Sequence, residues 1–335
     1  MTLQRSETVG GNLYLSSRGS WHQWFVLVIS LIAVIVAATL PPLSLEQQFW
    51  IILAPVAVFG LSHGGADPLI LRQLVAERPG SLAVAFILYI CASLAFISLI
   101  WIFPVVALVV FLALSIWHFG FTDLAYLSPS DNTVLLWLSG SLPVLGPVLG
   151  HPEQTSELFA WLVSREAGAA LSTLTVAGPV AAVVWLAGLG FLVVRHHHNP
   201  GFRVLAELVI VGTVLLLLPP LLAFAFYFCL IHSIRHFMAI AENQLVETDI
   251  RQMAGFLVKK SAPATLIAVG LALAAWAIVV FWNPASSLLT EAVRIMFWGL
   301  AALTFPHAVV VKLWWNRADY GEAPRDSSLA PDTDR

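Results

Sequence analysis

The stretch that decides the fold is WFVLVISLIAVIVAATL, residues 24–40, a run without a single charged side chain. In an α-helix such a run approaches the ~20 residues that cross a ~30 Å hydrocarbon core. A second run of the same kind, LIAVGLALAAWAIVVFW, covers residues 266–282, and similar runs recur between them. Across the 335 residues, 59% are hydrophobic and 10% are charged, and the mean hydropathy is +0.87. This composition excludes a soluble globular domain and predicts an all-α, polytopic bundle of transmembrane helices.

Proline, glycine and charged residues divide the hydrophobic runs into about ten predicted spans, and eight to ten are compatible with the breaks. Two neighbouring pairs of spans are separated only by Phe103-Pro104 and by Pro219-Pro220, which predicts tight hairpins or kinked helices there. The spans are predicted at residues 23–40, 47–71, 82–102, 104–121, 133–150, 174–194, 204–219, 221–241, 262–282 and 291–314.

The basic residues predict the orientation. With ten spans, most of those outside the spans or at their ends, such as Arg72, Lys259 and Lys312, fall on one side, which the positive-inside rule makes cytoplasmic; Arg165 is the exception. We therefore expect both termini in the cytoplasm. The predicted domains are a polar N-terminus (1–22), a transmembrane catalytic domain (23–315) and a disordered tail (316–335).

The expected location is the bilayer of a bacterial cytoplasmic (inner) membrane. The polar start of the chain differs from a cleavable signal peptide, so we expect the first span to be retained. The net charge of −3 gives no indication of nucleic-acid binding. Cys91 and Cys229 both lie in apolar segments, where neither a disulfide framework nor a thiolate metal site is predicted.

The ten histidines fall into two groups. One group lies in predicted loops or at span ends, where we interpret the side chains as solvated polar groups: His22, His151 and the run 196–198. The other group lies within the spans: His63, His118, His232, His236 and His307. Ionisable side chains inside a membrane are costly and face the bundle interior, so they are functional candidates. Taken singly, each could also join two helices by a hydrogen bond.

The spacing of the five histidines points to a shared site. His232 and His236 are four residues apart, so a helix presents both on one face, as metal ligands require. With ten spans, all five histidines fall in the cytoplasmic half of the membrane, which scattered packing residues would not be expected to do. An all-imidazole site without cysteine suits iron, copper or zinc. Four histidines on Fe(II) would leave two octahedral positions for dioxygen and a neighbouring substrate double bond.

Charged residues accompany these histidines. Asp67 follows His63 by four residues and Asp123 follows His118 by five, so each carboxylate could orient an imidazole, pair with Arg235 or meet water at a helix end. Arg235 lies about 60° around the helix from His232. We predict that it pairs with Asp67 or Asp123 and secures the ligands. The glycines of HGGAD (63–67) permit close helix packing or a helix break.

Four motifs, HGGAD (63–67), WHFGFTD (117–123), HSIRH (232–236) and PH (306–307), occur in this order. Together they resemble the Brp/Blh family of β-carotene 15,15′-dioxygenases, over about residues 47–315. The resemblance implies that O₂ cleaves the central double bond of β-carotene at a non-haem iron, Fe(II), and that two molecules of retinal form, which a rhodopsin could receive. It implies His63, His118, His232 and His236 as the catalytic iron ligands, with His307 beside them or in the pocket. The first span is additional to the family core.

Three other functions are compatible with the sequence. A di-iron desaturase or hydroxylase would need about eight histidines, whereas the spans contain one HxxxH motif. A transporter could use buried His, Asp and Arg as a proton relay. A carotenoid-binding protein without catalytic activity would leave carotene intact. Metal stoichiometry and carotene consumption distinguish these alternatives.

Overall fold

The computed structural model describes residues 17–39, 41–75, 80–127, 132–164, 167–194, 202–244 and 250–319, and every regular element in these ranges is helical. Nine segments within these ranges are long and apolar enough to cross a membrane. The prediction of a polytopic, all-α integral membrane protein is therefore confirmed.

Fourteen α-helices and two π-helical turns make up the described part of the chain. In order they are α1 (Ser17–Thr39), α2 (Leu45–Pro55), π1 (Val56–Gly60), α3 (Leu61–Gly64), α4 (Asp67–Val75), α5 (Ser81–Ile102), α6 (Pro104–Leu127), α7 (Thr133–Gly150), α8 (Pro152–Val163), α9 (Ala167–Val194), α10 (Phe202–Leu217), α11 (Pro220–Ala225), π2 (Phe226–His232), α12 (Ser233–Gln244), α13 (Ile250–Trp282) and α14 (Leu288–Asp319).

Nine of the ten predicted spans coincide with the nine apolar segments. The tenth, predicted at 204–219, corresponds to α10, which has only 16 residues and buries Val204, Leu208 and Val211 against its neighbours. The Pro219-Pro220 pair ends this helix early, because proline has no N–H to donate and its ring clashes with the preceding turn. Short and well buried, α10 packs between α1 and α7.

Proline places two of the helix breaks where the sequence predicts them. Helix α5 ends at Ile102 and α6 begins at Pro104, with Phe103 alone between them. Likewise, α10 ends at Leu217 and α11 begins at Pro220, with proline in the first turn, where its missing N–H costs nothing. Both predicted tight connections are thus present.

Helix α8 was not predicted: the hydrophobic pattern predicts a loop between the spans at 133–150 and 174–194. It begins with Pro152 and Glu153, a proline and an acidic residue in the first turn that together favour a helix start. Its carbonyls accept hydrogen bonds from α14: Arg294 Nε donates to Trp161 over 2.9 Å and Trp298 Nε1 donates to Leu162 over 3.1 Å. Helix α8 is therefore part of the bundle and not a free loop.

Two π-helical turns lie inside membrane segments and contact each other. Turn π1 leads into α3, which carries His63, and π2 ends at His232. The segment that contains α3 then breaks at Gly65 and Ala66, as the glycines of HGGAD suggest. A side chain at Gly65 would collide with the backbone of Ser261, so glycine here permits the close approach of α13.

Helices α7, α10, α11 and α14 and turn π2 bury many of their side chains inside the bundle, whereas α5, α9 and α13 expose large hydrophobic side chains over most of their surface. Helix α1 begins at Ser17, inside the predicted polar N-terminus, and α14 continues to Asp319, past the predicted start of the tail. Residues 1–16 and 320–335 lie outside the described ranges, so the predicted domain boundaries remain predictions.

Candidate metal centre

The five histidines predicted within spans meet in the interior of the bundle. They come from α3, α6, the end of π2, α12 and α14, and none is more than 7% exposed. Their imidazoles form a closed sequence of neighbours that we call the histidine ring. Its centroid distances are 5.2 Å for His63–His232, 5.6 Å for His63–His236, 5.2 Å for His236–His307, 4.8 Å for His307–His118 and 5.0 Å for His118–His232.

Three members of the ring present nitrogens close enough to share one ion. One nitrogen each from His63, His118 and His232 lies within 4.8 Å of the others. The His236 imidazole lies parallel to that of His232, at 11° and 6.3 Å, as expected for residues four apart on one helix. It borders this group of three without belonging to it.

Several ring nitrogens are buried and lack a hydrogen-bond partner among the described residues. They are both nitrogens of His118 and of His236, and Nε2 of His232 and of His307. Buried polar atoms normally have a partner, and such a group of neutral imidazole nitrogens is the donor set that divalent transition metals prefer. The residues present therefore fit a metal ion.

Local structure orients several of these imidazoles through Nδ1. His63 Nδ1 donates to the carbonyl of Gly60, the last residue of π1, which leaves Nε2 to coordinate an ion. His232 Nδ1 lies 3.6 Å from Asp123 Oδ1. The carbonyl of Phe228, within π2, accepts a bond of 2.6 Å from the Ser233 hydroxyl. The π-helical turns thus place two histidines while their carbonyls remain paired.

Arg235 pairs with Asp123, one of its two predicted partners, and with Glu207, which was not predicted. Its Nη1 lies 3.6 Å from Asp123 Oδ2, and its Nη2 forms an ion pair with Glu207 of α10. Asp123 also accepts a bond of 2.6 Å from the Tyr227 hydroxyl. The backbone carbonyl of Arg235 accepts a hydrogen bond of 2.7 Å from the Tyr126 hydroxyl. Arg235 is thus fixed through both its side chain and its backbone.

Asp67, the other candidate partner of Arg235, belongs to a different group. Its Oδ1 lies 2.8 Å from His307 Nδ1, and its Oδ2 accepts a bond of 2.7 Å from the Tyr89 hydroxyl. Asp67 thus links α5 and α14 through α4. The sequence places Asp67 and His307 near the site but gives no indication of their pairing, because 240 residues separate them.

The outer histidines do not all behave as predicted. His22 was interpreted as a solvated residue at a span end, and this interpretation is wrong: it is 0% exposed, with its ring 6.2 Å from that of Tyr126. Helix α1 begins five residues before His22, so the side chain packs inside the bundle. His151 is partly exposed and lies 3.1 Å from the Leu217 carbonyl. Residues 196–198 lie outside the described ranges.

Two apolar cavities meet at the histidine ring. The inner cavity, about 90 Å³, lies between α6, α7, α8 and α14, and its lining includes Pro147 and Leu158. The outer cavity, about 340 Å³, lies between α4, α5, α13 and α14 and includes Ile90 and Ile267. Both cavities share His63 and His307, and also Phe228, Leu300 and Thr304.

Comparison with known proteins identifies the family. The sequence model described as β-carotene 15,15′-dioxygenase matches residues 54–315. A β-carotene 15,15′-dioxygenase from the uncultured marine bacterium 66A03 is 29% identical over 269 residues, which cover 78% of this chain and 92% of that protein. A probable β-carotene 15,15′-dioxygenase Blh from Halobacterium salinarum is 30% identical over 325 residues, with 88% and 91% covered.

No solved structure matches this chain. The family match begins at residue 54, near the end of α2, and ends at residue 315, near the end of α14. It therefore includes all five members of the histidine ring. Helix α1 precedes the matched region. The chain therefore belongs to the β-carotene 15,15′-dioxygenase family.

Proposed function

We propose that this chain is a membrane oxygenase that cleaves the central 15,15′ double bond of β-carotene with O₂ and releases two molecules of retinal. The observation that carries the proposal is the position of the histidine ring. Unpartnered, buried imidazole nitrogens lie where two apolar cavities meet, so a long apolar molecule that extends from one cavity towards the other would pass the ring. The family relationship supports the same reaction.

The proposed cofactor is a non-haem iron, Fe(II). His63, His118, His232 and His236 would hold it, since imidazole ligands without thiolates suit a redox-active transition metal. When bound, iron supplies the activation of O₂ that the reaction requires. The reaction balances without an external reductant: the carbon–carbon double bond breaks, and each of its two carbons receives one oxygen atom of O₂.

The residues around the ring would keep these ligands in place. Asp123 lies on the Nδ1 side of His232, and Arg235 and Tyr227 hold Asp123 in turn. Carboxylates that orient metal-binding histidines raise both metal affinity and the basicity of the ligand. We therefore assign Asp123 and Arg235 to positioning, and not to contact with the substrate.

The proposed substrate route lies within the bilayer. The outer cavity includes Ile90 of α5 and Ile267 of α13, whose side chains are 56% and 64% exposed on the apolar outside of the bundle. A carotenoid is as apolar as the lipid tails, so it can pass between α5 and α13 without an aqueous step. A molecule that extends from the outer cavity towards the inner cavity would then pass the histidine ring, where the metal would bind.

The proposed location is the bacterial cytoplasmic membrane, with both termini in the cytoplasm. This orientation requires α10 to cross the bilayer as the tenth span, in addition to the nine long apolar segments. Exposed basic residues near the ends of those segments, such as Arg72, Lys259 and Lys312, then lie on one side, in agreement with the positive-inside rule. Retinal released into the bilayer could pass to a rhodopsin in the same membrane. Reporter fusions at either terminus would test the orientation.

The experiment that tests the function uses a bacterial host that accumulates β-carotene. The chain and its His232→Ala, His236→Ala double variant are expressed to the same level, and the extracts are analysed by chromatography. We expect retinal to appear as carotene falls, with neither change in the variant. Intact carotene with the native chain, folded and loaded with iron, would contradict the proposed substrate. Two irons per chain would instead indicate a di-iron enzyme.

A further inference from the structure

We infer that His307 is a fifth ligand of the metal, and that Asp67 and Tyr89 hold it in position. This inference rests on the proposed function, because it requires a transition-metal ion at the histidine ring. It changes the predicted role of His307 from a residue beside the ligands or in the pocket to a residue that touches the metal. The arrangement Tyr89–Asp67–His307 joins the wall of the outer cavity to the site.

The first observation is the place of His307 in the ring. Its imidazole lies 4.8 Å from that of His118, 4.9 Å from that of His63 and 5.2 Å from that of His236. These distances are shorter than the 5.6 Å between His63 and His236, two of the ligands already proposed. His307 therefore borders the group of His63, His118 and His232 at least as closely as His236 does.

The second observation concerns its two nitrogens. Nδ1 lies 2.8 Å from Asp67 Oδ1, and an ionised carboxylate can only accept a hydrogen bond. Nδ1 therefore carries the hydrogen and Nε2 carries the lone pair. Nε2 is buried and has no hydrogen-bond partner among the described residues. If His307 only joined two helices, its Nδ1 would have a partner but its buried Nε2 would have none. If His307 also bound a metal through Nε2, both nitrogens would have a partner.

The third observation is a comparison within the ring. A carboxylate, a histidine and a metal in line is a recurrent arrangement in metalloproteins. In this chain His307 has the shortest contact of that kind, 2.8 Å to Asp67, whereas His232 lies 3.6 Å from Asp123. By this measure His307 is better oriented for coordination than His232.

Tyr89 extends the arrangement to the substrate route. Its hydroxyl donates to Asp67 Oδ2 over 2.7 Å, and its side chain lines the outer cavity on α5. Tyr89 thus fixes the second oxygen of Asp67, so that the first oxygen faces His307. Five imidazole ligands would leave one position of an octahedron open instead of two. In that case the double bond of the substrate remains uncoordinated beside the metal.

The test measures metal binding and does not require catalysis. The protein is purified in detergent without O₂ or carotene and loaded with Co(II), whose visible ligand-field bands strengthen when the coordination number falls. We expect His307→Ala to bind Co(II) at least about tenfold more weakly, with stronger bands, and Asp67→Asn to lose about 10–100-fold in affinity. Tyr89→Phe should weaken affinity in the same direction, but less.

Two controls separate coordination from folding. His22→Ala removes a histidine that is also fully buried but lies outside the ring, and it should keep the native affinity and bands. Added imidazole should restore the native bands in His307→Ala, which only a folded site can show. If that variant does not fold, His307→Gln, which is similar in volume, replaces it.

The outcomes distinguish this inference from the proposed function. Native affinity and native bands in His307→Ala, or in His307→Gln, would overturn the ligand role of His307 and leave the proposed function intact. Failure of the native chain to bind Co(II) or iron at all would overturn both. Unchanged binding in Asp67→Asn would overturn the positioning role of Asp67.

Discussion

Arg235 is a cation that is 2% exposed inside a hydrophobic bundle, and two carboxylates compensate its charge. Glu207 on α10 and Asp123 on α6 both pair with its guanidinium. Removing one member of a buried ion pair leaves an uncompensated charge, which costs far more than the pair contributes as a whole. Asp123 also lies 3.6 Å from His232, so the surroundings of this histidine depend on the same group of charges.

We expect Arg235→Met to destabilise the protein by about 3–5 kcal/mol and to lower its iron content. The reason is that two carboxylates then lack their cation, and Asp123 no longer has a fixed position beside His232. Thermal unfolding in detergent and iron analysis would measure the two effects. Adding Glu207→Gln to Arg235→Met should recover part of the stability, since it removes one unpaired charge.

A surface arginine provides the control for this prediction. Arg203 is exposed and stacks on Trp24, so Arg203→Met should change stability by no more than about 0.5 kcal/mol. Full stability and full iron content in Arg235→Met would show that the ion pairs do not support the site.

At the scale of residues, the sequence indicates the site through ionisable side chains, because placing them in the membrane interior costs free energy. Histidine, aspartate and arginine are rare within apolar spans, and those that occur there usually have a functional role. Glu207 was missed although it lies in a predicted span, since nothing in its surroundings shows that Arg235 lies opposite. Tyr89 was missed for a different reason: tyrosine is common in apolar segments, and only its contact with Asp67 reveals a role.

At the scale of elements, hydropathy predicts helices but not their internal geometry. The predicted span at 221–241 contains α11, π2 and α12, and the sequence alone does not reveal that the middle of it is a π-helical turn. A π turn accommodates one extra residue, which changes the angular relation between the two ends. Helix α8 escaped prediction because 12 amphipathic residues are too few for a span.

Turn π2 connects α11 to α12, and each of these two helices is held in place by different partners. At the start of α11, the Leu221 N–H donates to Gln48 Oε1 over 3.1 Å. In α12, Arg235 is held by its ion pairs. The extra residue of the π turn allows both ends to keep their partners, while His232 and His236 face the ring.

We expect deletion of Leu230 to abolish metal binding without abolishing the helix. With one residue fewer, the π turn would become α-helical, and α12 would rotate by about 100° relative to α11, which turns both histidines away from the ring. Metal analysis and circular dichroism would measure the two properties. Leu230→Ala keeps the register and should bind the metal normally. Metal binding by the deletion variant would contradict a positioning role for π2.

At the scale of the whole molecule, the helices with exposed apolar surfaces differ in position from the helices that surround the inner cavity. Helices α5, α9 and α13 face outward, and α5 and α13 also form the walls of the outer cavity. The inner cavity instead lies between α6, α7, α8 and α14, away from that opening. For a substrate that enters between α5 and α13, one end would pass the histidine ring before the central bond reaches it.

We expect a bulky side chain between α5 and α13 to slow carotene cleavage without affecting the metal. Ala268 lines the outer cavity on α13, so Ala268→Trp would obstruct the route and lower kcat/KM for β-carotene by about tenfold or more, with unchanged iron content. Leu271→Trp is the matched control, because Leu271 lies on the same helix, is 67% exposed and does not line the cavity. Both variants would be assayed in liposomes that contain β-carotene. Equal turnover in Ala268→Trp and Leu271→Trp would place the substrate route elsewhere in the bundle, whereas a loss confined to Ala268→Trp would establish lateral access from the bilayer.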